Sequence, residues 1–94
     1  RSFADERFSD AVSLYEKALA KINPDNKILY AKTKNNLALS IYKKAEIEKD
    51  DVGFAKALDL FLQAQAVYAH TDNKKLSEET DKNIQAARQM VEKK

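Results

Sequence analysis

The 94-residue chain is long enough for one domain, with 44% apolar and 34% charged residues. It has one glycine and one proline, and this scarcity of chain-breaking residues favours helices over strands. Seventeen basic residues against fifteen acidic ones give a net charge of only +2, so neither nucleic acid nor an anionic membrane is the expected partner. Because the chain lacks cysteine, disulfides, thiolate metal sites and a cysteine nucleophile are excluded.

The sequence predicts no membrane insertion. Its richest apolar run, residues 54–68, is broken by Lys56, Asp59 and Gln63 and falls short of the roughly 18 uninterrupted apolar residues of a membrane span. The first residues, Arg1-Ser2-Phe3, are neither a signal peptide nor a methionine start, so we expect a piece of a longer protein. Composition does not identify the compartment, although the cytoplasm is favoured.

The first predicted helix spans residues 4–22. Its apolar residues recur at the three- and four-residue spacing of one helix face: Phe8, Ala11, Val12, Tyr15, Ala18, Leu19 and Ile22. Pro24 ends this helix because a proline disfavours helical backbone in the residue before it, Asn23. The Asx residues of this turn, up to Asn26, are expected to cap the helix that follows.

The second predicted helix spans residues 26–49. Its main apolar stripe consists of Leu37, Ala38, Ile41 and Ala45, with Leu39 and Tyr42 on one flank. Residues 50–53 follow and include two aspartates and the single glycine, Gly53. This composition predicts that the chain reverses there.

The third predicted helix, residues 51–69, is apolar on nearly every side, which is typical of a helix packed between neighbours. Residues 70–73 form the next predicted turn. The fourth helix, residues 73–92, carries only a narrow apolar stripe. A helix with one buried side and one solvent-exposed side is typical of the end of a helical array.

Two pairs of segments match each other at nearly one spacing. Residues 8–18 match residues 54–64 at an offset of 46, with identical Phe, Ala, Leu and Ala positions. Residues 33–37 match residues 80–84 at an offset of 47. Helices one and three are therefore one kind, which we label B, and helices two and four are another, A. A chain that reads B–A–B–A is a repeat array.

At these residues the sequence resembles the tetratricopeptide repeat family, and Asn36-Leu37-Ala38 resembles its long-repeat variety in kinesin light chains. The residues that fit the family pattern of the B helix are Phe8, Ala11, Tyr15 and Ala18, and again Phe54, Ala57, Phe61 and Ala64. The resemblance implies an all-α, antiparallel helix-pair solenoid over residues 1–94. It would comprise a partial repeat (1–24), one repeat (25–72) and a capping helix (73–94).

The sequence departs from the family in two respects. Its period is 46–47 residues instead of about 34, because residues 41–54 are longer than usual. The first helix of the first repeat is also missing, so one face of helix one should be bare. We expect this face to be covered in the parent protein or, in the fragment, by self-association with a second copy.

The resemblance implies that the A helices line a groove that binds a peptide or helix of a partner protein. In the family, the residue before the Leu37 position is often an Asn whose amide contacts the backbone of the bound peptide. The groove residues implied in this chain are Lys32, Asn35, Asn36, Leu39, Tyr42, Lys43, Lys82, Asn83 and Ala86. For Asn36 and Asn83, hydrogen bonding within the solenoid or to water is the alternative.

No residue pattern predicts an enzyme, a metal site or a cofactor. The single histidine, His70, lies at a predicted turn without a neighbouring nucleophile, and one glycine cannot build a phosphate-binding loop. Two other readings remain. The chain could be a structural spacer or assembly segment of a larger repeat protein. Residues 37–92 also resemble a microtubule-interacting-and-trafficking domain, although the match of helix one to helix three argues against that three-helix bundle.

Overall fold

The computed structural model describes residues 2–93 and shows an all-α fold, as predicted. Arg1 and Lys94, the ends of the predicted domain, lie outside the described residues. Each helix begins and ends within one residue of its predicted position. The four helices are α1 (Phe3–Lys21), α2 (Lys27–Glu48), α3 (Asp51–Tyr68) and α4 (Lys74–Glu92).

Side chains cap two of the helix starts. The Oγ atom of Ser2 accepts a hydrogen bond from the backbone N–H of Asp5 at 3.0 Å, and Oδ1 of Asp50 accepts one from the N–H of Val52 at 3.1 Å. Each bond satisfies an amide that the helix itself leaves unpaired. Asn26, which was expected to help cap α2, makes no side-chain cap bond.

The reversal between α2 and α3 is shorter than predicted and does not use the glycine. Only Lys49, with a φ of 54°, and Asp50 connect the two helices. Gly53 instead lies in the first turn of α3 and is buried. A Cβ atom at this position would lie 2.9 Å from the Cβ of Ala45. The glycine therefore permits a close approach of two helices, and the turn prediction for it was wrong.

Each helix packs against the next one in the chain. Among the described residues, no Cα atom of α1 lies within 8 Å of a Cα atom of α3 or α4, whereas α2 and α4 approach each other over a short stretch. The molecule measures 38 × 29 × 18 Å, and its thinnest dimension corresponds to about two helix layers. One layer holds α2 and α4, and α1 and α3 lie apart from each other on α2.

Alanines set the contact between α2 and α3. Three buried alanines of α2 follow one another at seven-residue intervals: Ala31, Ala38 and Ala45. Ala38 belongs to the same core cluster as Ala57, and Ala31 to the same cluster as Ala64. Small side chains on both helices let the backbones come close, which explains why the glycine is needed at one end of the contact.

The repeated B motif is buried in α3 but only half-buried in α1. Phe61, for example, is 1% exposed, whereas its counterpart Tyr15 is partly exposed and contacts the core from the side. The exposed apolar residues of α1 include Phe3 at 76% and Leu14 at 65%. The difference follows from the packing order, because α3 has a neighbour on each side and α1 has only α2.

Candidate functional site

A surface depression of about 280 Å³ lies between α2 and α4, over α3. Its lining residues are Leu39, Tyr42, Lys43, Glu46, Phe61, Asn83 and Ala86. Five of them are among the nine groove residues that the sequence predicts, and they come from both A helices. The structure thus brings together residues that are more than 40 positions apart in the chain.

The base of this depression, which we call the A-face depression, is apolar and firmly held. Phe61 reaches it from α3 and belongs to the main core cluster. The ring of Tyr42 packs edge-on against Phe54, with ring centres 5.3 Å apart and an interplanar angle of 66°. Such edge-to-face contacts fix ring orientation as well as burying area. The depression therefore has a rigid aromatic wall.

The rim of the depression is polar. The Nζ atom of Lys43 lies 3.7 Å from Oε1 of Glu46, and both side chains are about half exposed, so this pair adds little to stability and can be rearranged by a ligand. Burial raises the pKa of Tyr42, and the negative charge of Glu46 raises it further. The phenol hydroxyl therefore remains a hydrogen-bond donor at neutral pH.

The remaining predicted residues do not line the depression. Lys32, Asn36 and Lys82 are exposed and are not among its lining residues. Asn35 differs from them, because its Oδ1 atom is buried without a hydrogen-bond partner among the described residues. Of the two asparagines at one repeat spacing, Asn83 is partly buried at the depression, so the pair is not equivalent in the structure.

Sequence reasoning missed two lining residues, Glu46 and Phe61. Glu46 follows Lys43 by three residues and Tyr42 by four, so helical spacing already places it on the same face. Phe61 was recognised as a repeat position on the other type of helix, but only the packing of α3 beneath α2 and α4 shows that its ring forms the base.

A second depression, of about 500 Å³, lies on the opposite side of α2. Tyr30 precedes Leu39 by nine residues, or about two and a half turns, so the two side chains point in opposite directions. The Nζ atom of Lys34 lies 4.5 Å from the centre of the Tyr30 ring and 2.7 Å from Oε1 of Gln63, and so it partly covers this depression. His70, which the sequence places in a turn, is exposed and lines its far end.

The described residues contain neither a metal-binding cluster nor a membrane-spanning helix. Within residues 2–93, no group of three or more His, Asp or Glu side chains could hold a metal ion. None of the described helices combines the length and the apolar character needed to cross a membrane.

Comparison with protein-family models, with curated proteins and with solved structures finds no match to this chain.

Proposed function

We propose that this chain is a tetratricopeptide-type interaction module that holds a peptide or helix of a partner protein in the A-face depression. The observation that carries the proposal is the convergence of Leu39, Tyr42 and Lys43 from α2 with Asn83 and Ala86 from α4. The family resemblance implied these residues as part of a groove, and they line one surface depression.

The size and chemistry of the depression favour a side-chain anchor over a small molecule. Its volume of about 280 Å³ is at or below the lower end of typical small-molecule sites. An apolar base of Phe61 and Leu39 suits an aliphatic or aromatic side chain. The amide of Asn83 and the ammonium group of Lys43 at the rim could contact the backbone and an acidic residue of the same segment.

The packing order gives the proposal a second support. α2 and α4 approach each other, whereas α1 and α3 stay more than 8 Å apart at every Cα pair. An array that brings its A helices together and separates its B helices is concave on the A side. A preformed concave surface reduces the ordering cost of binding an extended segment.

The test is a selection of random peptides displayed on phage against the intact chain, followed by NMR titration of the enriched peptides. Peptide binding is expected to shift the amide signals of Leu39, Tyr42, Asn83 and Ala86. Ala86→Arg should weaken binding by about tenfold or more, because the new side chain fills the depression. Ala55→Arg, at an exposed position of α3, is the matched control and should leave affinity within about twofold.

The two asparagines supply a finer test. Because Asn83 lines the depression and Asn36 does not, Asn83→Ala should weaken peptide binding more than Asn36→Ala. If a chain with both Asn36→Ala and Asn83→Ala keeps its fold and binds the peptide as tightly as the wild type, the two amides do not contribute to the proposed site. Failure to enrich any peptide, or signal changes confined to the ends of the array, would instead favour the structural spacer.

A further inference from the structure

One side of α1, next to the side that faces α2, carries a regular stripe of alternating small and long side chains. Its members, in chain order, are Ala4, Arg7, Ala11, Leu14, Ala18 and Lys21. Steps of three and four residues place them in one line along the helix. None of the six is buried, and α1 uses a different side, with Val12, Tyr15 and Leu19, to contact the core.

This stripe is not shaped for another helix like α2. On α3 the corresponding stripe is covered by α2 and begins with Gly53, where even a Cβ atom would come within 2.9 Å of Ala45. The offset of 46 residues places Arg7 at the equivalent position of α1. An approach as close as that of α2 to α3 is therefore blocked at this end. A suitable partner must offer a small residue opposite Arg7.

We propose that the α1 stripe binds the α1 stripe of a second copy of this chain, antiparallel and around a twofold axis. In the matching register Ala11 lies opposite Leu14 of the second copy, and Arg7 lies opposite Ala18. Ala4 is then opposite Lys21. Every long side chain faces an alanine, so the two helices interlock along their length.

Charge complementarity favours this register over the two neighbouring registers of the same helix pair. Asp10 and Lys17 lie along the edge of the stripe that is remote from α2, seven residues apart. In the proposed register Asp10 lies beside Lys17 of the second copy, and the symmetry repeats the pair. Shifting to an Ala11–Ala11 contact would bring the two Asp10 side chains together, and shifting to Ala11–Ala18 would set Arg7 against Lys21.

The expected dimer is weak. A helix of 19 residues is about 28 Å long, so one helix pair buries less area than a standard protein–protein interface. We expect dimerisation in the range of about 10 μM to 1 mM chain, with some weakening as salt is raised. The stripe lies outside the A-face depression, so self-association and peptide binding are separable.

Sedimentation equilibrium of the intact chain across that concentration range tests the proposal. Leu14→Glu should raise the dissociation constant by about tenfold or more, since it places two carboxylates near the twofold axis. The control is Val52→Glu on α3, which alters an equally isolated apolar residue with 76% exposure and should leave the dimer unchanged. A monomer at every concentration, or a Leu14→Glu variant that dimerises normally, would overturn the proposal.

Charge exchange separates a specific contact from a general loss of solubility or fold. Asp10→Lys should weaken the dimer because it faces Lys17 of the second copy with a like charge. Adding Lys17→Asp to the same chain should restore the wild-type dissociation constant. If the double variant stays as weak as the single one, the proposed charge pairing is wrong.

Cysteine crosslinking tests the direction of the pairing, and the chain has no native cysteine to interfere. A mixture of Ala4→Cys and Lys21→Cys chains should form the mixed disulfide. Each variant alone should not crosslink, because equivalent residues near a helix end would be about 25 Å apart. Efficient crosslinking of Ala4→Cys with itself would show a parallel arrangement and refute the register.

Discussion

Helices α1 and α3 carry the same sequence motif and yet occupy different environments. In α3 the motif is fully buried, and it begins one residue after the buried Gly53. In α1 the same positions are half-buried, and Arg7 stands where α3 has the glycine. The motif therefore specifies a helix and its contact positions, whereas burial depends on how many neighbours the helix has.

The A helices show the same contrast at the other end of the array. Ala38, Ile41 and Ala45 of α2 are buried. The equivalent positions of α4, at an offset of 47, are Gln85, Arg88 and Glu92, and all three are exposed. Helix α4 therefore packs on α3 but presents a polar surface where α2 presents an apolar one. That polar surface lies on the last described helix, whereas α1 exposes the large apolar side chain of Leu14.

The largest expected effect is on the aromatic position of the repeat. Phe61→Ala should cost about 3–5 kcal/mol of unfolding free energy, because a fully buried ring leaves a cavity at the centre of the core. Tyr15→Ala, at the equivalent position of α1, should cost about 1–2 kcal/mol, since that side chain is already partly exposed to water. Urea unfolding followed by circular dichroism measures both, and equal losses would contradict the comparison.

The next largest effect on unfolding free energy is expected at the last alanine of the repeated motif. Ala64→Leu should destabilise the chain by about 1–3 kcal/mol, because α2 leaves no room for the added atoms. Ala18→Leu makes the same change on α1, where the residue is only partly buried, and should stay within about 0.5 kcal/mol. Thermal unfolding at low protein concentration, where α1 pairing does not contribute, distinguishes them. A large loss of stability in Ala18→Leu would show that another part of the protein packs on this surface of α1.

A smaller effect is expected at the glycine. Gly53→Ala gains about 1 kcal/mol of helix propensity, but the contact with the Cβ of Ala45 should cost about 1–3 kcal/mol, leaving a net loss of about 1 kcal/mol. Adding Ala45→Gly should relieve the contact, so the two changes should not be additive in unfolding experiments. Arg7→Ala on α1 is the control and should be nearly neutral. A stabilised Gly53→Ala chain would disprove the close approach.

The smallest effect concerns a hydroxyl at the buried end of α3. The Oη atom of Tyr68 is buried without a hydrogen-bond partner among the described residues. Tyr68→Phe should therefore leave stability unchanged or raise it by up to about 1 kcal/mol at pH 7. Tyr15→Phe on α1 is the matched change at a half-buried position, and we expect no gain there. A loss above about 1 kcal/mol for Tyr68→Phe would reveal a partner for the hydroxyl.

Tyr68→Phe should also change how stability depends on pH above neutrality. Burial raises the pKa of Tyr68 above its ordinary value, and the charge of Glu79 adds to the shift. The unfolded chain then loses this proton first, so stability should fall as pH rises above about 10. Tyr68→Phe should make this fall shallower in urea titrations between pH 7 and pH 11. An identical slope for both chains would mean that Tyr68 does not contribute to it.

The sequence predicted part of the candidate site and missed part for an identifiable reason. Leu39, Tyr42 and Lys43 lie together because they follow helical spacing, and the family resemblance implied that Asn83 and Ala86 line the same groove. The sequence could not distinguish these lining residues from Lys32, Asn36 and Lys82, which lie outside the depression. That distinction depends on where α4 approaches α2, and no local pattern encodes it.

The sequence predicted four helices and their ends to within one residue, because turn residues and three- to four-residue periodicity act within a few positions of the chain. Tertiary structure alone decided which copy of the repeated motif is buried, why Gly53 is a glycine and which side chains form the base of the A-face depression. These features depend on distances between helices, and such distances arise only when all the neighbours of a helix are in place.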